Sequence, residues 1–334
     1  MQELFIKLIQ SKIPENHSIA DMISDALDIN YDAAYRRITG KTKITLEEAV
    51  LLSKKFDISL NKLYEVGNDN SIIAGLSPRP KDVEGLELWF KASLNNIEPI
   101  TKIKNAELIW SGKDITLFRI LTDSLLTRYK MYVWLKDFDV EMAKSKITFD
   151  KWVTQIPNSL LESAFSLSEV YNHINITELW SANTVNGTLQ QVLYYFEAGL
   201  VSVEAALKIC EDIHQIIFRI EQQTIDQSLN KTGNNKFFKL YNCDLHTLTN
   251  SVFVYTPKQK VFFTPFTVLS YIKIENQLTC DVMYEFLKKQ MSNSKLLATS
   301  GEKDRSLFFK ILHDKINFIE QKIRLENKTH YFSL

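Results

Sequence analysis

One short stretch decides how the N-terminal part of this chain folds, Asn30-Tyr31-Asp32-Ala33-Ala34-Tyr35-Arg36-Arg37-Ile38-Thr39-Gly40. Asn30 has a side-chain oxygen of the kind that caps a helix N-terminus. Gly40 stands where the end of a helix needs a residue at positive φ. The spacing therefore predicts a helix over residues 31–38, with polar and aromatic side chains that are available to a partner.

Helices are also predicted on both sides of this stretch. Ser18 precedes an apolar run with helical spacing, which predicts a helix over residues 19–27. Only residues 28–30 separate the two helices, and Ile29 is expected to plug the core between them. The capping box Thr45-Leu46-Glu47-Glu48 predicts a further helix over residues 46–56. An amphipathic segment that ends before Pro14 is interpreted as the first helix of the same bundle.

Two short helices joined by a tight turn have the geometry that fits the major groove of DNA. The order of elements resembles the lambda-repressor-like (Cro/XRE-type) helix-turn-helix family, over the first 65 or so of 334 residues. The resemblance is carried by these residues: Leu27-Asp28-Ile29-Asn30, Arg36, Gly40, Thr45-Leu46-Glu47-Glu48-Ala49 and Phe56-Asp57-Ile58-Ser59-Leu60-Asn61-Lys62-Leu63. Asp28 replaces the Gly that the family usually has in the turn, and Asp tolerates the left-handed conformation.

The resemblance implies an all-α DNA-binding domain over residues 1–66 that binds double-stranded DNA, with a homodimer on paired half-sites. The predicted DNA-binding residues are Ser18, Asn30, Tyr31, Asp32, Tyr35, Arg36, Lys41 and Lys43. Among them Tyr31, Asp32, Tyr35 and Arg36 are expected to face bases, whereas Ser18, Lys41 and Lys43 are expected to hold phosphates. Arg37 either joins them or pairs with an acid of the bundle.

The charge distribution supports a local contact with phosphates rather than a general one. Acidic and basic side chains nearly balance over residues 1–65, which counts against strong non-specific binding. Residues 30–43, however, contain Arg36, Arg37, Lys41 and Lys43 against Asp32 alone. A positive stripe on the recognition face is what phosphate contacts require. A small helical bundle with no DNA-binding role is the alternative interpretation.

Composition sets limits on the class of protein. The chain has zero formal net charge, 45% hydrophobic residues and three cysteines that are far apart in sequence. An odd number of scattered cysteines argues against a disulfide framework, so a reducing, cytoplasmic location is expected. No apolar run is long enough for a transmembrane helix, and the first residues do not resemble a signal peptide, so no membrane partner is expected.

The predicted fold class is α+β multidomain, with the helical bundle followed by a mostly helical domain that contains short antiparallel strands. Residues 67–82 are predicted to be a linker because Gly, Asn, Asp and Pro concentrate there. Residues 83–227 form a mostly helical middle region and residues 236–325 an α+β region, and the two are expected to pack as one regulatory or dimerisation unit. Strands are predicted over residues 106–110 and 115–120, joined by a hairpin turn at 111–114, and again over 237–241, 251–255 and 260–263.

Long helices are predicted over residues 188–198, 203–225 and 305–324, and the last two are candidate dimer surfaces. The first two weakly resemble one tetratricopeptide-type hairpin, but no second copy follows at that period. An ordinary helix pair in one core is therefore preferred. Five aromatic residues, Trp110, Phe118, Tyr132, Trp134 and Trp180, are interpreted as core residues, with the lining of a pocket as the alternative.

Sequence motifs for catalysis and cofactor binding are absent. The chain has no phosphate-binding glycine loop, no G-x-G-x-x-G, no H-E-x-x-H, no C-x-x-C and no G-x-S-x-G. Cys243 with His246 is too weak a pair to predict a metal, and His214 is placed on a polar helix face. Residues 300–305 are interpreted as a capped turn rather than an anion site. No metal, no cofactor and no enzymatic activity are therefore predicted.

The sequence thus favours a sequence-specific DNA-binding transcriptional regulator whose C-terminal part binds an effector, such as a small molecule or a peptide, or dimerises. Two alternatives belong to other classes. One is an enzyme that carries a helix-turn-helix appendage, because many active sites leave no local signature. The other is an adaptor that binds peptides or proteins through the helical middle region.

Overall fold

A computed structural model of the chain describes residues 1–14, 17–60, 63, 72–229, 236–244 and 247–332, with side chains as far as Glu326. The chain divides into two compact units, Met1–Ile73 and Ala74–Leu334. Mixed helix and strand content confirms the predicted α+β fold class.

The first unit contains four helices within its described residues: α1 (Gln2–Gln10), α2 (Ile19–Leu27), α3 (Tyr31–Ile38) and α4 (Leu46–Phe56). Each contributes one fully buried side chain to a common core, namely Ile9, Ile23, Ala34 and Leu52. The predicted bounds of α2, α3 and α4 are confirmed because each helix begins at a side-chain cap. Thr45 and Glu48 form the predicted capping box at α4.

The second unit is built on one eight-stranded mixed sheet with the order β1-β7-β6-β5-β2-β3-β4-β8. The strands are β1 (Ala74–Leu76), β2 (Glu107–Ser111), β3 (Asn175–Trp180), β4 (Phe238–Asn242), β5 (Ser251–Tyr255), β6 (Lys260–Thr267), β7 (Ser270–Ile274) and β8 (Lys295–Leu296). Strands β2, β3 and β4 are parallel to each other, whereas the remaining pairs are antiparallel. The prediction of antiparallel strands is thus wrong for the centre of the sheet.

Helical crossovers account for the parallel centre, since parallel neighbours need long connections. The helices of this unit are α5 (Val83–Thr101), α6 (Leu117–Ile120), α7 (Leu125–Phe138), α8 (Val140–Lys144), α9 (Phe149–Trp152), α10 (Asn158–Val170), α11 (Asn186–Glu197), α12 (Val203–Asp226), α13 (Gln277–Ser292) and α14 (Glu302–Phe332). Helices α6 to α10 lie between β2 and β3, and α11 and α12 lie between β3 and β4. One face of the sheet packs on α5, α7, α10, α12 and α14, and the other face packs on α13.

Three predictions about this unit are wrong. Residues 117–120 form the short helix α6 rather than a strand, and residues 111–114 are not a hairpin turn because Ser111 pairs with Leu179 of β3 and Ser251 of β5. Residues 74–76, inside the predicted linker, form the edge strand β1 beside β7. The sequence analysis also missed β3 and β7.

The candidate dimer helices α12 and α14 pack on each other within one chain. Their apolar faces, which include Ile213, Ile217 and Ile316, are fully buried in the same core. Those faces are therefore not free for a second copy. Phe218 and Phe318, on the outer sides, stay more than half exposed.

A buried ion pair joins the sheet to its helical layer. Arg119 Nε of α6 lies 2.9 Å from Glu178 Oε1 of β3, and both side chains are buried. Tyr171 donates its hydroxyl hydrogen bond to the same carboxylate oxygen, and Gln223 accepts one from Arg119. The Arg119 guanidinium also stacks over the Phe238 ring at 4.6 Å. Because the Glu178 carboxylate is buried in the sheet, it needs the Arg119 guanidinium as a partner inside the fold.

A second polar contact joins α12 to α14. His214 Nδ1 and His313 Nδ1 are 2.6 Å apart and the two rings stack, so one nitrogen donates and the other accepts. Burial lowers the pKa of both imidazoles from 6.5. The charged and polar groups around them are Glu211 on α12 and Asp314, Asn317, Glu320 and Arg324 on α14.

We expect Arg119→Met to lower the free energy of unfolding by about 3–5 kcal/mol, because it leaves the Glu178 carboxylate buried and unpaired. The double variant Arg119→Met/Glu178→Met should recover most of that loss. Urea unfolding followed by tryptophan fluorescence measures it for this unit, which contains all five tryptophans of the chain. Arg79→Met, which breaks the exposed pair with Asp137, is the control and should cost less than about 1 kcal/mol. Equal losses in the two single variants would contradict the role of the buried pair.

The histidine pair predicts a stability that falls on acidification. Each histidine pKa is lower in the folded state than in the unfolded state, so the folded chain binds fewer protons below pH 6.5. The free energy of unfolding that is present above pH 6.5 is therefore partly lost as the pH falls below it. Burial raises the pKa of Glu320, which acts in the opposite direction nearer pH 4.5. Urea unfolding between pH 7.5 and 5.5, a range of about 2 units around the histidine pKa, measures this loss. The free energy of unfolding should fall more steeply on acidification for the natural chain than for His214→Asn/His313→Asn. Identical slopes would refute this assignment.

Candidate nucleic-acid interface

Helix α3 presents one polar face to solvent. The Asn30 side chain caps it by accepting a hydrogen bond from the Ala33 amide at 2.8 Å. Ala34 and Ile38 pack into the bundle core, so the opposite face is turned outward. Four of the predicted base-facing residues lie on this outer face, within an arc of about 140°: Tyr31, Asp32, Tyr35 and Arg36.

All eight predicted DNA-binding residues are exposed: Ser18, Asn30, Tyr31, Asp32, Tyr35, Arg36, Lys41 and Lys43. The two tyrosines are the most informative, because Tyr31 is 51% and Tyr35 50% accessible. Tyrosine rings usually pack at least partly into a core. Two half-exposed rings one helical turn apart therefore form a surface that a partner can cover.

The turn between α2 and α3 holds the outer face in place. Asp28 adopts the left-handed conformation with φ 51°, which confirms the prediction that Asp takes the place of glycine there. Ile29 packs against the core of the bundle. Gly40 follows α3 with φ 75°, as predicted for a helix end.

Arg37 belongs to the scaffold and not to the outer face. Its Nε lies 3.0 Å from both carboxylate oxygens of Glu48, and its Nη1 donates to the Ala33 carbonyl at 3.0 Å. Hydrogen bonding to Arg37 lowers the pKa of Glu48, and the same contact raises the pKa of Arg37. Glu48 also accepts a hydrogen bond from the Thr45 amide in the α4 capping box. One carboxylate therefore fastens α3 to the first turn of α4.

The remaining basic groups are available to a partner. Within the described residues, no carboxylate lies within ion-pair distance of Arg36, Lys41 or Lys43. Arg36 and Arg37 are adjacent in sequence but have different roles, because the helix directs consecutive side chains about 100° apart. The outer face thus combines two rings, one free guanidinium and one carboxylate.

The loop that carries the lysines is held by a residue that the sequence analysis missed. Gln2 of α1 donates through Nε2 to the carbonyls of Arg37 and Thr42, both at 2.8 Å. Its Oε1 accepts from the Ile44 amide at 3.3 Å. No local motif marks Gln2, because its partners lie some 40 residues away in sequence. This clamp fixes the backbone on both sides of Lys41 and Lys43.

Ser18 lies at the N-terminus of α2, where its hydroxyl accepts a hydrogen bond from the Asp21 amide at 3.4 Å. Helix N-termini carry free N–H groups and a partial positive charge, which suits a phosphate. The predicted final helix, capped by Ser59, falls mostly outside the described residues. Asp57 ends α4 in the left-handed conformation with φ 51°.

Comparison of the chain with protein families, with characterised proteins and with solved structures gives no match. Within the described residues, no helix combines the length and the apolar composition that crossing a membrane requires. Over that same part of the chain, no three His, Cys, Asp or Glu side chains come together in a way that could hold a metal ion. His246, which was considered together with Cys243, lies outside the described residues.

Two other candidate sites have structural explanations. His214, placed on a polar helix face by the sequence, contacts His313 of α14, and its side chain is mostly buried. At residues 300–305, Gly301 has φ 89° and α14 begins at Glu302. Asp304 there forms an ion pair with Lys295 at 3.1 Å. Residues 300–305 therefore form the turn at the start of α14.

We expect Glu48→Ala to reduce the protection of the Leu52 amide against hydrogen exchange by about 2 kcal/mol, because it removes both the acceptor of the Thr45 amide and the partner of Arg37. Glu47→Ala, in the same turn and exposed, is the control and should change the protection by less than about 1 kcal/mol. Equal effects of the two substitutions would show that the contact with Arg37 does not fasten α3.

Proposed function

We propose that the chain is a sequence-specific DNA-binding regulator in which the outer face of α3 enters the major groove. The observation that carries the proposal is the exposure of Tyr31, Tyr35 and Arg36 on a helix whose other arginine, Arg37, is held by Glu48. A helix of eight residues is about 12 Å long, close to the width of the major groove. The resemblance to the lambda-repressor-like family supports the same function.

Each side chain of the interface has a role that its chemistry suits. Arg36 has the planar donors that pair with guanine O6 and N7. Asp32 can accept a hydrogen bond from the amino group of cytosine, and the tyrosine rings can cover thymine methyl groups or sugars. Lys41, Lys43 and the α2 N-terminus at Ser18 would hold phosphates and so set the position of α3. We further propose that the second unit binds an effector or a second copy, and that the protein acts in the cytoplasm.

One observation favours a second candidate function for the bundle, which is docking of a protein partner. Helix α4 exposes three apolar side chains, Leu46 at 73%, Val50 at 38% and Leu51 at 52%. Exposed apolar side chains that lie together mark protein contact surfaces more often than nucleic-acid contacts. The two functions make different demands, since DNA binding depends on Arg36 and protein docking on Leu51.

Selection of random duplex oligonucleotides with the full chain tests the proposal. We expect enrichment of one sequence with two related half-sites. Arg36→Ala should then weaken binding to that duplex by about 1–3 kcal/mol and relax the preference at one base pair. Lys41→Ala/Lys43→Ala should lower the slope of log affinity against log salt by about 2, because each phosphate contact contributes about 0.9.

Two control variants make the result specific. Lys7→Ala removes a basic side chain that is paired with Glu3 on α1. This variant should leave the DNA affinity and its dependence on salt unchanged. Leu51→Ser should leave DNA binding unchanged. If the bundle instead docks a protein partner, the same substitution should abolish that docking. Failure to enrich any sequence, or unchanged affinity in both Arg36→Ala and Lys41→Ala, would refute the DNA-binding proposal.

A further inference from the structure

The second unit contains a cavity of about 160 Å³ between α5 and the strands β5, β6 and β7. Trp89, Ser93 and Ile97, which recur every four residues on α5, form one wall. Val254, Phe263 and Tyr271 of the sheet form the other. The helical layer that covers the rest of this sheet face leaves the cavity between α5 and the outer strands.

The walls are apolar, and none of the residues that line the cavity carries a charge. Among the described residues, the only lining residues with polar side-chain atoms are Ser77, Ser93, Asn96, Tyr271 and Trp89 with its indole N–H. An apolar cavity of about 150 Å³ is large enough to bind benzene. A charged ligand would lose its hydration here without a compensating partner. Size and polarity therefore select a neutral molecule with one ring.

Tyr271 adds one directional contact to this apolar space. Its amide donates to Ser77 Oγ, but its hydroxyl has no hydrogen-bond partner among the described residues. Burial raises the pKa of Tyr271 to about 12, so the hydroxyl keeps its proton at neutral pH. The Tyr271 side chain is partly buried, and its protonated hydroxyl can donate a hydrogen bond to an oxygen atom of a ligand.

The charged groups nearest to Tyr271 line a second, larger cavity. It has a volume of about 570 Å³, shares Leu117 and Tyr271 with the smaller cavity, and contains Lys130 and Asp114. The Lys130 ammonium lies 3.3 Å from Asp114 and 2.9 Å from Gln191, so these charges already have partners. The smaller cavity itself has no charged residue among the described residues that line it and so offers a charged ligand no counter-ion.

Four of the five aromatic residues singled out from the sequence are buried in the core, as predicted: Trp110, Phe118, Tyr132 and Trp180. Trp134 is partly buried and packs against the same core. Three of the five also line a cavity, Phe118 the smaller one and Trp110 and Trp134 the larger one.

We propose that the smaller cavity is a binding site for a neutral single-ring molecule with one hydroxyl or carbonyl oxygen, of the phenol class, which hydrogen-bonds to the Tyr271 hydroxyl. The ring lies between Trp89 of α5 and Phe263 of β6, and the oxygen is directed towards β7. The role of this cavity as the effector site of a DNA-binding regulator rests on the proposed function, whereas binding of the ligand does not.

Calorimetric titration of the full chain with phenol, toluene and benzoate tests the site. Phenol and toluene have nearly the same shape, so the hydroxyl accounts for their difference. We expect phenol to bind more tightly than toluene, and benzoate to bind more weakly than either. Tyr271→Phe should weaken phenol binding about fivefold and leave toluene binding unchanged. Tyr255→Phe, on the opposite face of the sheet, is the matched control and should change neither.

A second pair of variants tests the location without removing the hydroxyl. Ser93→Leu places a larger side chain in the α5 wall and should abolish binding of both phenol and toluene. Ser306→Leu, at an exposed position of α14, should leave both unchanged. The proposal is overturned if neither probe binds saturably, if benzoate binds as tightly as phenol, or if Tyr271→Phe or Ser93→Leu has no effect on phenol.

DNA affinity measured with and without saturating phenol separates this proposal from the proposed function. A change in affinity would support the effector role of the cavity. Saturable phenol binding with unchanged DNA affinity would uphold the site and overturn its effector role. Failure of the chain to bind DNA would remove the proposed function, and the titrations alone would then decide about the site.

Discussion

The contact between Arg37 and Glu48 is the constraint on which the N-terminal unit depends. It holds α3 against the capped start of α4 through a carboxylate that accepts from both Arg37 and the Thr45 amide. Because this contact fixes the rotation of α3, it determines which side chains face solvent. Tyr31, Tyr35 and Arg36 are exposed for the same reason that Arg37 is not. Partly buried pairs of this kind, with several hydrogen bonds on one carboxylate, order a structure more than exposed pairs do.

In the second unit, a charged contact also joins the layers of the structure. Glu178 lies in the central parallel strand β3 and meets Arg119 of α6 in the core. A buried carboxylate restricts how a strand pairs, because a shift of one residue would place it on the other face without its partner. The outer strands β5 to β7 contain no such group on the face towards α5, and there the helical layer leaves a cavity.

Local signals explain how much of the fold could be predicted from the sequence. Ser18, Asn30 and Thr45 each cap a helix within four residues of their own position, so the helices of the bundle could be placed correctly. Strands β5 and β6 were also predicted, and the turn that joins them is closed by a hydrogen bond from the Thr256 amide to the Gln259 carbonyl. Where a side-chain cap marks the start of a helix, sequence and structure agree, whereas the turn signal at residues 111–114 led to a wrong prediction.

Long-range pairing explains the failures. Strand β3 was missed because Asn175-Ile176-Thr177-Glu178-Leu179-Trp180 is buried on both faces and so lacks polar alternation. Residues 115–120 have β-branched and aromatic side chains but bend into α6, where Arg119 reaches Glu178. Within the candidate interface, the outer face of α3 was placed correctly, whereas the Gln2 clamp depends on partners far away in sequence. The cavity residues come from α5, α6, α10 and four strands, so no single segment could show them.

The central claim is that the outer face of α3 contacts bases, and photo-cross-linking of the full chain tests it most directly. A photoreactive residue would replace Tyr35 in one variant and Phe318, which is 66% exposed on α14, in another. We predict an adduct with the selected duplex from position 35, which an excess of the same unlabelled duplex suppresses and an unrelated duplex does not. Position 318 should give no adduct. An adduct from position 318 with none from position 35 would contradict the claim.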